Sequence, residues 1–230
     1  VTEVLDCWFE SGSMPYGQQH YPFENKEVFE ANFPANFICE GLDQTRGWFY
    51  TLVVIAQALF DKPAFHNCVV NGLILAEDGK KMSKRLKNYP DPTQMLDQYG
   101  ADAIRLYMLN SPAVRGEDLR FSEKGLVETT RTLLLPLWNA LAFLTTYARI
   151  DGWEPTSENL ELPRNNPLDH WILSKLAGLI DEVRNQMDLY DLNRSVAPFV
   201  GFIDLLTNWY IRRSRRRFWK AGQGSDKLEA

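Results

Sequence analysis

A chain of 230 residues, 45% hydrophobic and 24% charged, has the apolar content for one or two packed domains and contains no low-complexity tract. Its formal net charge of −5 argues against a general nucleic-acid coat protein, and no apolar run approaches the roughly 20 residues that span a bilayer. Cys7, Cys39 and Cys68 stand far apart in apolar stretches without C-x-x-C spacing. They are expected to pack as small hydrophobes in a reducing compartment, forming neither a zinc site nor a disulfide. Val1 opens a polar stretch with neither an initiator Met nor a signal-peptide pattern, as in a piece of a longer chain or one freed of a tag.

Residues 36 to 111 read as α/β. Asn36 to Glu40 predicts a short strand ending at Gly41, and Gln44 to Phe60 a helix with Trp48, Leu52, Ile55 and Leu59 on one face. Asn67 to Ala76 is rich in Val, Leu and Ile and is interrupted by Gly72, as in a buried strand that turns into a second extended piece. Asp91-Pro92 is a helix start, with Asp able to cap and Pro suited to the first turn, and Gly100 is the matching stop. From Ser122 onward strands give way to three helical patterns, 122 to 149, 167 to 189 and 193 to 220, with a polar connector at 151 to 166. Pro198 falls in the first turn of the third helix or kinks it. The fold class is therefore α/β followed by all-α, with the boundary near residue 121.

The sharpest chemical feature is Gly79-Lys80-Lys81-Met82-Ser83-Lys84-Arg85. Four cations and a hydroxyl, entered through a glycine, can fold around polyphosphate oxygens that gain charge as a phosphate leaves. A solvated basic loop is the plainer reading. The spacing is not that of a Walker loop, G-x-x-x-x-G-K-[ST].

Lys81 to Arg85 spells K-M-S-K-R and resembles the K-M-S-K-S signature of class I aminoacyl-tRNA synthetases. Asp6 to Ser13 resembles the W-F-[DE]-S-G-S segment of the isoleucyl-tRNA synthetases, and Glu40 to Phe49 their E-G-x-D-Q-x-R-G-W-F segment. Tyr99 to Leu106 and Asp169 to Lys175 extend the likeness, which runs from Val1 to Trp219. The resemblance implies a Rossmann-like catalytic half at 1–121, then the start of a helical anticodon-binding domain at 122–230. It implies an isoleucine-tRNA ligase, with ATP, Mg2+, isoleucine and tRNA-Ile as substrates and partners, in the cytoplasm. Lys81 and Lys84 then neutralise the triphosphate, Ser83 donates a hydroxyl, and Met82 packs beneath the loop; the role of Arg85 stays open. Glu40, Gly41 and Asp43 hold the adenylate ribose, Gln44 contacts isoleucine or its adenylate, and Trp8 and Trp48 wall the side-chain pocket. Without the resemblance, Asp43 is most simply the N-cap of the following helix. The family's H-I-G-H signature is not in this chain, whose histidines are His20, His66 and His170, and neither is its editing domain. The fragment alone is therefore expected to be inactive, and the rest of the same polypeptide is an expected partner.

Arg212, Arg213, Arg215, Arg216, Arg217 and Lys220 form a cationic block on an acidic chain. Arg212, Arg216 and Lys220 are spaced by four and are expected to share a helical face. The resemblance makes Arg212, Arg213 and Arg216 candidate tRNA phosphate contacts; a charged solvent face is the alternative. Valyl- or leucyl-tRNA synthetase remains the near rival, and a noncatalytic RNA-binding module the distant one.

Overall fold

The structure is a computed structural model, which describes residues 3–154, 166–220 and 224–230. Most of the connector read at 151 to 166 lies outside these. The chain divides into two compact units, Val1–Leu75 with Pro112–Leu119, and Ala76–Ser111 with Arg120–Ala230.

In the first unit, α1 (Cys7–Gly17) and α2 (Lys26–Asn32) precede strand β1 (Ala35–Gly41), helix α3 (Trp48–Phe60) and strand β2 (Phe65–Asn71). β1 and β2 pair in parallel, from Ala35 opposite Phe65 to Gly41 opposite Asn71. Parallel neighbours need a crossover connection, and α3 supplies it. The core is Ile38, Phe49, Leu52, Ala56 and Ala64. The buried stripe of α3 is therefore Phe49, Leu52 and Ala56, whereas Leu59, expected inside, is 60% exposed. A helix as apolar as Trp48–Phe60 offers more than one hydrophobic stripe, so periodicity alone does not choose between them. The helix also starts four residues later than predicted, because a 3₁₀ turn, Leu42–Arg46, and Gly47 intervene.

Gly72 ends β2 for a steric reason. Its amide donates to the Ala113 carbonyl at 2.8 Å, and a Cβ there would sit 1.8 Å from the Glu117 carbonyl oxygen. The chain then enters β3 (Ile74–Leu75), and the Leu119 amide donates to the Leu73 carbonyl at 2.9 Å at the start of β4 (Leu119–Arg120). Cys7, Cys39 and Cys68 are free but exposed, which corrects their expected packing in cores. Cys39 and Cys68 sit on adjacent strands of a sheet that has two strands among the described residues, which gives them little to pack against.

In the second unit, α4 (Pro92–Tyr99) begins as expected. The Asp91 carboxylate accepts from Thr93 N at 2.8 Å and Gln94 N at 3.3 Å, and Gly100, at φ +81°, stops the helix before α5 (Ala101–Leu109). α6 (Glu123–Thr129), a π stretch (Thr130–Leu134) and α7 (Leu135–Asp151) form one continuous run. Scattered polar residues keep this run from reading as apolar, yet by length and composition it could cross a membrane, and Leu137, Trp138, Leu141 and Leu144 are exposed. α8 (Pro167–Asp188) follows, then α9 (Leu192–Asp204), a π stretch (Leu205–Ile211) and α10 (Arg212–Trp219), with α11 (Ser225–Glu229) at the end. Pro198 lies beyond the first turn of α9, and the helix continues through it.

A buried ion pair ties these helices together. Arg217 Nη1 and Nη2 donate to the two carboxylate oxygens of Asp169 at 2.6 and 2.7 Å, and the Tyr210 hydroxyl donates to Asp169 Oδ1 at 2.8 Å. Asp169 is 1% exposed and Arg217 8%. Arg217 thus leaves the solvent-facing block in which its sequence position had put it. Without Asp169 the buried Arg217 would keep only Asp226, an exposed carboxylate 2.9 Å from its Nε. Asp169→Ala should lower unfolding free energy by about 3–5 kcal/mol in urea titration, and Asp169→Leu with Arg217→Met should recover most of the loss.

Candidate functional site

The first cluster of candidate residues belongs to the first unit, at the carboxyl end of β1 where strand passes to helix. Such ends form the ligand crevice of open α/β sheets. Here the 3₁₀ turn folds the Asp43 carboxylate back across Gly41, where an added Cβ would meet Asp43 Oδ1 at 2.6 Å. Gln44 is fixed from both ends: its Nε2 donates to Asp43 Oδ2 at 3.2 Å, and its Oε1 accepts from Trp48 N at 3.1 Å. Gln44, not Asp43, therefore caps the start of α3. The extra turn and Gly47 place the first free amide of the helix over Gln44. Asp43 and Glu40 are left exposed, with no cationic partner among the described residues.

Trp8 and Trp48 meet the same corner. Trp8 Cη2 lies 3.1 Å from where a Gly47 Cβ would stand, and Trp48 Nε1 donates to the Ser11 carbonyl at 3.0 Å. The approach depends on Gly12, whose missing Cβ would sit 2.8 Å from Thr51 Cβ and so lets α1 lie directly on α3. Asp6 caps α1 through Trp8 N at 2.8 Å and orients the turn that carries Trp8. Trp8, Gln44 and Trp48 are thus gathered around Gly47, with Glu40, Gly41 and Asp43 at the adjoining strand end.

The lysine loop belongs to the second unit. A closed turn leads into it: Gly79 N donates to Ala76 O at 2.8 Å, Ala76 N donates to Lys80 O at 2.9 Å, and Gly79 sits at φ +80°. That φ is costly for any residue with a side chain. Asp78 engages Lys80 twice, accepting from its amide at 3.0 Å and pairing with its ammonium at 3.2 Å. The amide bond, more than the charge, holds the Asp78 carboxyl below its usual range. Lys81, Lys84 and Arg85 are exposed and have no carboxylate partner among the described residues. Met82 is half-buried.

Asn88, which sequence reasoning missed, staples the loop. Its Oδ1 accepts from Ser83 N at 2.9 Å and its Nδ2 donates to Lys81 O at 3.2 Å. Ser83 O accepts from Leu86 N at 3.1 Å and Lys87 N at 3.0 Å, so the backbone is committed while the Ser83 hydroxyl has no partner among the described residues. An Asn shortly after a charged loop is a general turn-forming signal, and it was available in the sequence.

On α10, Arg212, Arg213, Arg215 and Arg216 are exposed, and the Arg213 guanidinium lies 4.0 Å from the centroid of Trp209. Lys220 follows Arg216 by four positions at the end of the same helix, its φ of −64° still helical and its ψ of 137° turning the chain away only after it. It caps the helix, and its carbonyl accepts from Lys227 Nζ.

A family model described as tRNA synthetases class I (I, L, M and V) matches residues 1–121, more than half of the chain. The chain belongs to the class I tRNA synthetases. A second model, the anticodon-binding domain of tRNA ligase, matches residues 169–230 of this synthetase chain. Over its whole length it is 63% identical to the isoleucine–tRNA ligase of Protochlamydia amoebophila, 58% to that of Treponema denticola and 61% to that of Chlamydia trachomatis. It spans 22% of the length of each. Among solved structures, methionyl-tRNA synthetase of Mycobacterium tuberculosis, bound by methionyl-adenylate, matches 96% of this chain with 43% of its own, at TM-score 0.73 and 20% identity. LeuRS of Agrobacterium radiobacter K84, in a ternary complex with tRNA and LeuAMS, matches 98% of this chain with 28% of its own, at TM-score 0.69 and 18% identity. The fold is that of class I synthetases, a Rossmann-like part followed by helices.

In this synthetase loop, Asn88→Ala should free the Ser83 amide. Hydrogen exchange there should quicken about five- to tenfold, as for loss of a bond worth about 1 kcal/mol, while exchange in α4 stays unchanged.

Proposed function

We propose that the chain is part of an isoleucine-tRNA ligase, with residues 1–121 forming the second half of the catalytic domain and 122–230 the beginning of the helical anticodon-binding domain. The observation that carries the reading is the K-M-S-K-R loop, in which Lys80 is committed to Asp78 while Lys81 and Lys84 stand exposed and unpaired among the described residues. Identity of 58–63% to isoleucine–tRNA ligases along the whole chain supports isoleucine over valine or leucine.

The isoleucine carboxylate attacks the α-phosphate of ATP, and pyrophosphate leaves. Lys81 and Lys84 supply compact positive charge to oxygens that become more negative as the bond breaks, and the Ser83 hydroxyl donates alongside them. ATP enters as its Mg2+ complex, so the metal comes with the substrate. Glu40 and Asp43 accept from the ribose hydroxyls of the adenylate, and Gly41 lets the sugar approach the backbone. Gln44, held between Asp43 and the Trp48 amide, is pre-set to contact isoleucine or its adenylate. Trp8 and Trp48 limit the size of the side chain admitted. The aminoacyl group then passes to tRNA-Ile, whose phosphates meet Arg212, Arg213 and Arg216 on α10. The exposed apolar residues Leu137, Trp138, Leu141 and Leu144 face the remainder of the same cytoplasmic polypeptide rather than a membrane.

Two measurements on the full-length protein test this. Lys84→Ala should slow pre-steady-state adenylate formation by about 2–4 kcal/mol, by analogy with loss of one oxyanion donor, and leave isoleucine binding nearly intact. Wild-type pyrophosphate exchange that depends on valine or leucine in preference to isoleucine would instead assign a sister enzyme. Arg212/Arg216→Gln should weaken tRNA binding and flatten its log–log salt dependence by roughly 0.7 to 0.9 for each phosphate no longer neutralised, with amino-acid activation unchanged. Unchanged affinity and slope would return these arginines to a solvated face.

A further inference from the structure

Arg120 lies outside every motif described above, yet it stands at the foot of the lysine loop. It follows Leu119, whose amide is anchored on the Leu73 carbonyl, and it precedes the Ser122 cap of α6. In the second unit its guanidinium lies against Gly79. A Cβ added to that glycine would sit 3.1 Å from Arg120 Nε, 3.3 Å from Cζ and 3.4 Å from Nη2. Three such similar distances mean that the flat group turns its face toward the glycine, filling the space a side chain would take.

The charge of Arg120 is uncommitted. The residue is exposed and has no carboxylate partner among the described residues, although Lys80, one position beyond Gly79, has its own acid in Asp78. Arg120 therefore brings an unneutralised cation to a loop where Lys81, Lys84 and Arg85 are unneutralised already. Gathering like charges without acids is unfavourable unless an anion relieves it, and a guanidinium presents a planar set of donors suited to phosphate oxygens.

We propose that Arg120 is a further polyphosphate-binding residue of the lysine loop, its guanidinium donating to the same triphosphate, and to the departing pyrophosphate, as Lys81 and Lys84. The proposal rests on the reading of that loop as the ATP site. Isoleucine-dependent ATP–pyrophosphate exchange by the full-length protein tests it, comparing wild type with Lys84→Ala, Arg120→Gln and Arg120→Lys. Arg120→Gln should raise KM for ATP and for pyrophosphate about five- to tenfold, as for an exposed charge-assisted hydrogen bond, with KM for isoleucine unchanged. Arg120→Lys, which keeps the charge but not the flat face, should recover at least half of the loss. Wild-type KM values in Arg120→Gln beside an impaired Lys84→Ala overturn this proposal and leave the ATP site standing. Equal impairment in Arg120→Lys and Arg120→Gln also overturns it, because the guanidinium would then only brace Gly79. No exchange by wild type, or none lost in Lys84→Ala, overturns the loop's assignment and this proposal with it.

Discussion

The buried carboxylate of Asp169 is the constraint on which the helical unit depends. A charge at 1% exposure is tolerable only when its oxygens are fully engaged, and Arg217 and Tyr210 engage them. The first turn of α8 is thereby pinned to the end of the α9–α10 run. Burial, followed by the bond to Asp169, pushes the Tyr210 hydroxyl far above its usual range, so it remains a donor at any physiological pH. With Tyr210, Ser214, Arg217 and Phe218 turned inward, helical geometry turns Arg212, Arg213, Arg215 and Arg216 out. One inward arginine sets the direction of the other four.

The same division between committed and uncommitted groups runs through the lysine loop. Asp78 takes Lys80, and Asn88 takes the Ser83 amide and the Lys81 carbonyl. What is left without a partner among the described residues is a set that a polyanion can use: two ammonium groups, the Arg85 guanidinium and a hydroxyl. Fixing the backbone while leaving the side chains free reduces the ordering cost of binding. At the end of β1 the arrangement is different. There Gly12, Gly41 and Gly47 remove side chains so that α1, the Asp43 carboxylate and the Trp8 ring can come close.

The β1–α3–β2 order, the Asp91 cap, the Gly100 stop and the three long helical patterns were legible in the sequence, whereas α1, α2 and α5 were not read there. Each legible feature rests on local chemistry: a side chain reaching its own backbone, or apolar spacing along one element. The lysine loop was legible for the same reason, its residues being contiguous. The inward stripe of α3 was not, since Phe49, Leu52 and Ala56 are chosen by Ile38 on β1 and Ala64 just before β2, and Leu59 fits the spacing equally well. Asp43 illustrates a second kind of failure. Its residue type suits a cap, but a 3₁₀ turn moves the helix start beyond its reach.

By itself, then, the sequence determined the α/β-then-helical class, the capped helix at Asp91, the long helical stretches and the basic loop, because these follow from neighbours a few residues apart. Only the tertiary structure decided which cations are neutralised. Lys80 is held by a local acid, but Arg217 is held by Asp169, 48 positions away, and Arg120 reaches Gly79 across 41. A positive charge in a sequence carries no mark of whether a distant carboxylate will meet it. That depends on which elements pack together, and packing brings together residues that no local pattern relates.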